Sequence, residues 1–240
     1  MKKGLFVFAL MFCCSLSAMA KVYNLGDLSP CDDKICEQSG NLANGIFKEY
    51  HENGKLFIEA SYKNGMPEGI EKVYYENGNL SAEVPWKNGA REGISKRYYE
   101  NGNLSAEQPW KNGAREGIAK GYYENGNLEV EALWKNNKIE GISKRYYENG
   151  NLLEEVPWKN GAIEGIAKGY YENGNLEFET PYKNDKIEGI AKGYYENGNL
   201  EWEAVFKEDE AISGFMYDAI TGKKQKMMNA YLRNLLKEHP

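Results

Sequence analysis

Residues 69–92 read GIEKVYYENGNLSAEVPWKNGARE, and seven close copies of this stretch follow one another between Gly45 and Ala211. The glycine that opens each copy recurs every 24 residues, at Gly45, Gly69, Gly93, Gly117, Gly141, Gly165 and Gly189. A fixed period of about 20–50 residues is typical of stacked repeats that cannot each bury a core alone. The spacing therefore predicts a repeat array.

Each copy is predicted to be a β-hairpin. Two short segments rich in β-formers flank Asn77-Gly78, the dipeptide that most favours a two-residue type I′ turn because both of its positions need positive φ. With that turn, Tyr75 faces Leu80 and Lys72 faces Glu83. Residues that face each other across a hairpin share one face of the sheet.

The diverged copies support this register. A lysine faces a glutamate in all seven copies: Lys48–Glu59, Lys72–Glu83, Lys96–Glu107, Lys120–Glu131, Lys144–Glu155, Lys168–Glu179 and Lys192–Glu203. The next pair varies in a compensated way, as Gly121–Val130, Gly169–Phe178, Gly193–Trp202 and Arg145–Glu154. Glycine opposite a large side chain and opposite charges are both favourable cross-strand pairs. This covariation indicates direct contact.

The register gives the sheet two unlike faces. One face is apolar and is expected to supply most of the stability, at about 1.5–3 kcal/mol for each large side chain buried; it carries Tyr75, Leu80, Ala82, Val84 and Trp86. The other face is mixed and carries Ile70, Tyr74 and the Lys72–Glu83 pair.

A second turn is expected at Lys87-Asn88-Gly89. In later copies, such as those with Asn137 and Asp185, the glycine is replaced. Asparagine and aspartate are the residues that best tolerate a left-handed backbone, so the replacement supports a turn here.

These patterns predict an all-β fold: an open, single-layer antiparallel sheet of seven stacked 24-residue hairpins over residues 45–212. Residues 21–44 are expected to form an N-terminal cap, and residues 213–240 a C-terminal hairpin, closed at Gly222, followed by a short α-helix. The helix is predicted from apolar residues at helical spacing, namely Met228, Tyr231, Leu232, Leu235 and Leu236. We expect it to cover the sheet edge, with a membrane-surface helix as the alternative.

Residues 1–20 are typical of a cleaved secretory signal peptide. Lys2 and Lys3 precede an apolar segment that is shorter than the roughly 20 residues of a membrane-spanning helix, and the small-residue triplet Ala18-Met19-Ala20 follows. The mature chain is expected to begin at Lys21 and to be exported to the periplasm, the cell surface or the medium. Lipidation at Cys13 or Cys14 is the alternative, which the bulky residue before them disfavours.

Cleavage would remove two lysines and change the net charge from −6 to −8. Such an acidic chain repels phosphate backbones, so nucleic acid is not expected as a partner. Two cysteines, Cys31 and Cys36, would remain, and export favours a disulfide between them. A metal site would need further ligands nearby.

No catalytic pattern stands out. An enzyme needs one place where unlike groups converge, and seven near-identical copies provide none. His51 and His239 lack triad partners, and the loop glutamates repeat in identical settings, whereas a catalytic carboxylate pair needs unequal ones. We expect neither an enzyme nor a cofactor.

The succession Tyr-Tyr-Glu-Asn-Gly-Asn-Leu, Trp-Lys-Asn-Gly and Glu-Gly, as in Tyr98–Leu104, Trp110–Gly113 and Glu116-Gly117, resembles the MORN repeat in its bacterial variant form. Proteins similar to this one include the YwqK-type antitoxins. The resemblance implies contacts with proteins and membrane lipids rather than catalysis.

The first tyrosine of each Tyr-Tyr pair lies on the mixed face and is our candidate for binding a partner: Tyr74, Tyr98, Tyr122, Tyr146, Tyr170 and Tyr194. We expect an exported binding scaffold for another protein. One alternative is a module that binds envelope carbohydrate or lipid head groups through its aromatic rows. A second alternative is an antitoxin or immunity-type protein that neutralises a toxin.

Overall fold

The computed structural model describes residues 28–31, 34–37 and 44–227, which contain β-strands and turns and no helix. They divide into two compact units, here called the N-terminal unit (up to Lys138) and the C-terminal unit (from Ile139). The all-β antiparallel hairpin repeats expected from the sequence are confirmed. Residues 1–20 and the helix expected after Gly222 lie outside the described part.

In the N-terminal unit, β1 (Leu28–Cys31) and β2 (Lys34–Glu37) form a separate two-stranded sheet. The repeats contribute β3 (Gly45–Tyr50), β4 (Leu56–Lys63), β5 (Met66–Pro67), β6 (Gly69–Tyr74), β7 (Leu80–Lys87), β8 (Ala90–Arg91), β9 (Gly93–Tyr98), β10 (Leu104–Lys111), β11 (Ala114–Arg115), β12 (Gly117–Tyr122) and β13 (Leu128–Lys135).

The C-terminal unit contains β14 (Lys138–Tyr146) from its second residue onward. Its further strands are β15 (Leu152–Lys159), β16 (Ala162–Ile163), β17 (Gly165–Tyr170), β18 (Leu176–Lys183), β19 (Lys186–Ile187), β20 (Gly189–Tyr194), β21 (Leu200–Lys207), β22 (Glu210–Tyr217) and β23 (Lys224–Lys226). The last two strands form the hairpin that contains Gly222.

The lysine–glutamate register is confirmed in all seven hairpins. The same residues also pair between hairpins: Glu83 faces Lys72 across β6–β7 and Lys96 across β7–β9. Glu59, Glu83, Glu107, Glu155 and Glu179 each lie between two lysines in this way. Lys48 Nζ approaches Glu59 Oε2 to 2.8 Å.

The turn predicted at Asn77-Gly78 is wrong in type. Gly78 has a φ of 94°, but Asn77 is not among the residues with positive φ. The Gly78 N–H donates to the Tyr75 carbonyl and the Tyr75 N–H to the Asn79 carbonyl, both at 2.8 Å. These bonds define a three-residue loop with a left-handed glycine at its end. Tyr75 therefore faces Asn79, not Leu80.

A β-bulge then reverses this one-residue shift. Tyr74 pairs with Leu80, whereas Val73 pairs with Ala82, so Ser81 is the extra residue. The same irregularity lies between the corresponding residues of each repeat hairpin. Loop and bulge cancel, which is why the register is as expected from Val73 onward.

The type I′ geometry belongs to the second turn. Asn88 and Gly89 have φ values of 51° and 79°, and Lys87 pairs with Ala90 across them. Asn136-Asn137 and Asn184-Asp185 also have positive φ at both positions. The expectation that asparagine and aspartate replace glycine at a left-handed position is confirmed.

The glycine that opens a repeat is required by its backbone. Gly93 has a φ of 111°, and a Cβ there would lie 3.3 Å from the Pro85 ring. The Glu92 N–H donates to the Pro85 carbonyl at 3.1 Å. The backbone irregularity beside the proline therefore lies at Gly93, in the neighbouring strand. The strand that contains Pro85, β7, continues past it to Lys87.

The compensated pairs are confirmed. A Cβ on Gly169 would lie 2.1 Å from the Phe178 ring, and one on Gly193 would lie 2.1 Å from Trp202 Nε1. Arg145 Nη1 lies 3.7 Å from Glu154 Oε2.

The cysteine pair stays a prediction. In the backbone register of β1 and β2, Cys36 pairs with Ser29 and Cys31 pairs with Lys34. The two cysteines are therefore diagonal neighbours rather than directly opposed residues.

The two units differ in their cores. In the C-terminal unit, one cluster of buried residues contains Ile187, Ala191, Trp202, Ala204, Phe206 and Met227, and another contains Val156, Ile163 and Ala167. The N-terminal unit buries Ala60, Ala82 and Val84 together with polar Ser95 and Gln108. The apolar face expected from the sequence thus buries more large side chains in the C-terminal unit than in the N-terminal unit.

Candidate functional site

The tyrosines proposed as a partner-binding row lie on the face that carries Ile70, Lys72 and Tyr74 and their equivalents, here called the outer face. Four of them donate a hydrogen bond from the hydroxyl to the central glutamate of the preceding hairpin, over 3.1–3.2 Å: Tyr98 to Glu83, Tyr122 to Glu107, Tyr170 to Glu155 and Tyr194 to Glu179. Tyr74 and Tyr146 occupy the same position and are also half-buried. The row therefore links neighbouring hairpins.

The four tyrosines that donate to glutamate have raised pKa values and are protonated at neutral pH. Burial, followed by the hydrogen bond to Glu83, raises the pKa of Tyr98 to about 12. Burial is also the main reason why the pKa of Tyr122 and that of Tyr170 are raised. A protonated hydroxyl can keep donating to the glutamate.

A line of exposed isoleucines lies beside this row and was not recognised as a site from the sequence. Each repeat presents one isoleucine with about half of its surface exposed: Ile46 50%, Ile70 54%, Ile94 49%, Ile118 53%, Ile142 55%, Ile166 53% and Ile190 54%. Several face a proline across the hairpin, as Ile94 faces Pro109. The recurrence of one apolar residue on the mixed face at 24-residue intervals was the available signal.

The opposite side, here called the inner face, carries Glu71, Val73, Ala82, Val84 and Trp86 and their equivalents. In the N-terminal unit it holds a ladder of alternating tryptophan and arginine. Arg91 Cζ lies 5.4 Å from the Trp86 ring centroid and 4.7 Å from that of Trp110. Arg115 Cζ lies 5.7 Å from the Trp110 centroid and 4.6 Å from that of Trp134. All five side chains are partly exposed.

The C-terminal unit replaces these arginines with Ile163 and Ile187, each only 6% exposed. There the Trp158 indole N–H donates to Ser143 Oγ at 2.8 Å. In the N-terminal unit the corresponding atoms, Trp110 Nε1 and Ser95 Oγ, are buried without a hydrogen-bond partner.

Two inner-face carboxyl groups are perturbed by burial. Burial raises the pKa of Glu71, and the nearby Trp86 indole and Arg91 partly offset this. Burial also raises the pKa of Glu154, with Arg145 acting in the opposite direction. Each lies beside an arginine, as expected for partly buried acids.

The remaining polar residues of the loops hold hairpins together. The Tyr75 hydroxyl donates to the Tyr98 carbonyl at 2.6 Å, and Asn79 Nδ2 donates to the Glu100 carbonyl at 2.7 Å. His51 Nε2 lies 2.9 Å from the Tyr74 carbonyl oxygen. These contacts are structural.

Within residues 44–227, no three side chains among histidine, cysteine, aspartate and glutamate are grouped so as to hold a metal ion. Nor does the described chain contain a helix long and apolar enough to span a membrane.

The fold and its repeating faces define a β-hairpin repeat protein. The family model for the MORN repeat variant matches residues 43–64, 67–88, 91–112, 115–136, 139–160, 163–184 and 187–208. These segments make up more than half of the chain, so the chain belongs to the MORN repeat variant family.

No curated protein matches the chain. Among solved structures, it is similar to a chain in the crystal structure of TcdB2-TccC3-Cdc42, with 11% identity and a TM-score of 0.20. The similarity covers 80% of this chain and 13% of that one, so our protein spans a small part of the other.

Proposed function

We propose that the chain is an exported, non-enzymatic repeat scaffold whose outer face binds another protein. The observation that carries this proposal is the line of half-exposed isoleucines repeated at one position of every hairpin. Burial of these side chains in an interface would favour binding, by about 25 cal/mol for each Å² of apolar surface removed from water.

The surroundings of the isoleucines suit a protein partner. On one side of each isoleucine lies the lysine–glutamate row, and beyond it the tyrosine row. Protein interfaces commonly combine an apolar, aromatic-rich centre with a polar rim. The partner is thus expected to present an apolar strip flanked by charges of both signs.

The proposal of a non-enzymatic role rests on repetition. The tyrosine–glutamate contacts recur with nearly the same geometry in both units, and their partners are other repeat side chains. Such contacts stabilise the array and give no single position the unequal environments that acid–base catalysis needs.

The test is affinity capture from envelope extracts with the mature chain and with an Ile94→Asp/Ile118→Asp variant. Both residues lie in the N-terminal unit and are half-exposed, so the substitutions should leave folding intact, which circular dichroism checks. The matched control is Ile220→Asp, which makes the same change at a residue that is 94% exposed and outside the outer-face line.

We expect the double variant to lose a partner that the control retains. Equal capture by all three proteins would refute outer-face binding. Retention on purified wall polymer without any captured protein, abolished by Tyr98→Ala/Tyr122→Ala, would favour the carbohydrate-binding alternative.

A further inference from the structure

We propose that the outer face of the N-terminal unit binds a second copy of this chain, with the two sheets antiparallel and related by a two-fold axis. This inference rests on the proposed function, because it names the occupant of the same outer face. The order of the side chains across the sheet carries it.

The first observation is the size of the surface. The N-terminal unit contains one continuous sheet of eight long strands, in the order β3, β4, β6, β7, β9, β10, β12 and β13. With six paired residues in each hairpin, a strand spacing of about 4.8 Å and a rise of about 3.3 Å per residue, the outer face covers about 770 Å². A protein–protein interface of standard size buries about 800 Å² on each partner. The face is therefore large enough for a stable dimer.

The second observation is the apolar row on this face. Each half-exposed isoleucine faces one residue of its own hairpin: Ile46 faces Ser61, Ile70 faces Pro85, Ile94 faces Pro109 and Ile118 faces Leu133. Serine is shorter than isoleucine, and the proline ring closes back onto its backbone nitrogen. The row thus alternates projecting and low positions, and Leu133, which is 40% exposed, ends it. An identical row displaced by one strand can fill the low positions.

The third observation is the charged row beside the isoleucines. Its lysines lie on the same strands as the isoleucines and its glutamates on the strands between them, so the charge changes sign at every strand. Within the sheet, Lys48 and Glu59 approach to 2.8 Å, and Lys96 and Glu107 to 4.0 Å. The row is neutral over each hairpin, although the chain has a net charge of −6. A second copy can therefore approach it without net repulsion, and these contacts within the sheet can remain in place.

One symmetry operation matches both rows. A two-fold axis parallel to the strands and midway between β7 and β9 reverses the strand order, so that β3 of one copy lies over β13 of the other. The isoleucines then lie over the low positions or the end of the other row, as Ile70 over Pro109, Ile94 over Pro85, Ile118 over Ser61 and Ile46 over Leu133. Sheets packed face to face keep their strands within about 30° of each other, so the match is closest near the axis.

The same operation places every lysine over a glutamate: Lys48 over Glu131, Lys72 over Glu107, Lys96 over Glu83 and Lys120 over Glu59. Opposite charges that face each other across an interface favour association and fix its register. An axis along the rows would instead place each strand over its own equivalent, so lysine would meet lysine where the charged rows face each other, which is unfavourable. The charge order thus selects the antiparallel arrangement.

A second copy meets these requirements by symmetry alone. A different protein would need apolar and charged groups that alternate over the same two-strand distance, about 10 Å, and in the reverse order. An interface in which the same patch serves both partners is the commonest form of protein dimer.

The experiment is sedimentation velocity of the mature chain at about 1 to 100 μM. It compares the wild type with Ile94→Asp/Ile118→Asp, which removes the projecting residues of two hairpins, and with the control Ile220→Asp, which lies outside the row. Circular dichroism shows whether each variant is folded. Treatment with a carbodiimide, which joins a lysine directly to a carboxylate, is followed by mass spectrometry of the linked peptides.

We expect the wild type to dimerise. The dissociation constant should rise at least about tenfold in the double isoleucine variant and less than about twofold in the control. The carbodiimide should join Lys72 of one copy to Glu107 of the other. Within one chain these residues lie on β6 and β10, about 14 Å apart across the sheet, which is too far for a direct bond.

A monomeric wild type, or a dimer that the isoleucine variant does not weaken, would overturn the proposal. A dimer without the Lys72–Glu107 cross-link would overturn the antiparallel arrangement. A monomeric wild type that still captures a different envelope protein through its isoleucines would refute the second copy as the occupant and leave the proposed function standing. A monomeric wild type with no capture that depends on the isoleucines would refute both.

Discussion

Replacing Gly193 with alanine adds a methyl group where the Trp202 ring already lies. A Cβ at this position would be 2.1 Å from Trp202 Nε1 and 2.4 Å from Cε2. Trp202 is 4% exposed and belongs to the apolar cluster of the C-terminal unit, so its ring has little room to move. The clash must be relieved by strain in the core.

The expected magnitude follows from two opposed effects. Overpacking of a core costs about 1–3 kcal/mol. Alanine also reduces the entropy of the unfolded chain, which stabilises by about 0.4–1 kcal/mol where the backbone tolerates it. Gly193 has no positive φ, so only the clash opposes that gain. We expect a net loss of about 1–2 kcal/mol and a fall in Tm of about 2–8 °C.

A double-mutant cycle tests the cause. Denaturant unfolding is measured for the wild type, Gly193→Ala, Trp202→Ala and the double variant. Once the indole is gone, Gly193→Ala should become neutral or stabilising, because nothing occupies the space above the new methyl group. If Gly193→Ala destabilised both backgrounds equally, the reasoning from the ring contact would be wrong.

Three other predictions concern separate parts of the chain. Tyr98→Phe removes the hydroxyl that donates to Glu83 and should lower the free energy of unfolding by about 0.5–1.5 kcal/mol, measured by denaturant titration; an unchanged midpoint would show that the bond contributes nothing. Because the folded-state pKa of Tyr98 is raised to about 12, the stability due to its protonated form should be present below pH ~10 and be lost between pH ~10 and ~12, as monitored by absorbance and circular dichroism; stability rising over that range would contradict the assignment. Protein purified from the envelope should have the mass of a chain that begins at Lys21 with Cys31 and Cys36 joined, two mass units below the reduced form; an intact leader or two free thiols would refute export or the disulfide, respectively.

The strand register could be predicted because the copies vary together. Gly169 faces Phe178 and Arg145 faces Glu154, as their joint changes indicated. Two side chains that alter in a compensated way between copies must touch, and a period of two then places every neighbour. This is why both faces of the sheet were assigned correctly from Val73 onward.

The turn type could not be predicted from the dipeptide alone. Asn77-Gly78 and Asn88-Gly89 are the same dipeptide, but only the second has positive φ at both positions. In the first, Asn77 Oδ1 accepts from the Asn79 N–H at 2.8 Å and the glycine alone is left-handed. The bulge at Ser81 corrects the strand register, so no pattern in the strands revealed the difference.

The candidate surfaces were predicted only in part. The tyrosine row lies on the expected face, but its hydroxyl bonds to glutamates of the preceding hairpin needed coordinates, because they join residues 15 positions apart in sequence. The sequence also contains a signal for the arginine ladder that the sequence analysis did not use. Arg91 and Arg115 stand where later copies have Ile163 and Ile187, and a position that changes from apolar to charged within an array suggests a local role.

Glu83 and the equivalent glutamates of most described hairpins lie between the lysine of their own hairpin and that of the next. Within the N-terminal unit, the lysine–glutamate pairs from β3 to β12 follow one another with the same register. Excision of residues 93–116, a complete copy, would bring Lys120 to the place of Lys96 opposite Glu83 and keep the Glu-Gly sequence between copies. Copy number can thus drift through gene duplication or deletion, shortening or lengthening the array by whole units while its strand pairing is preserved.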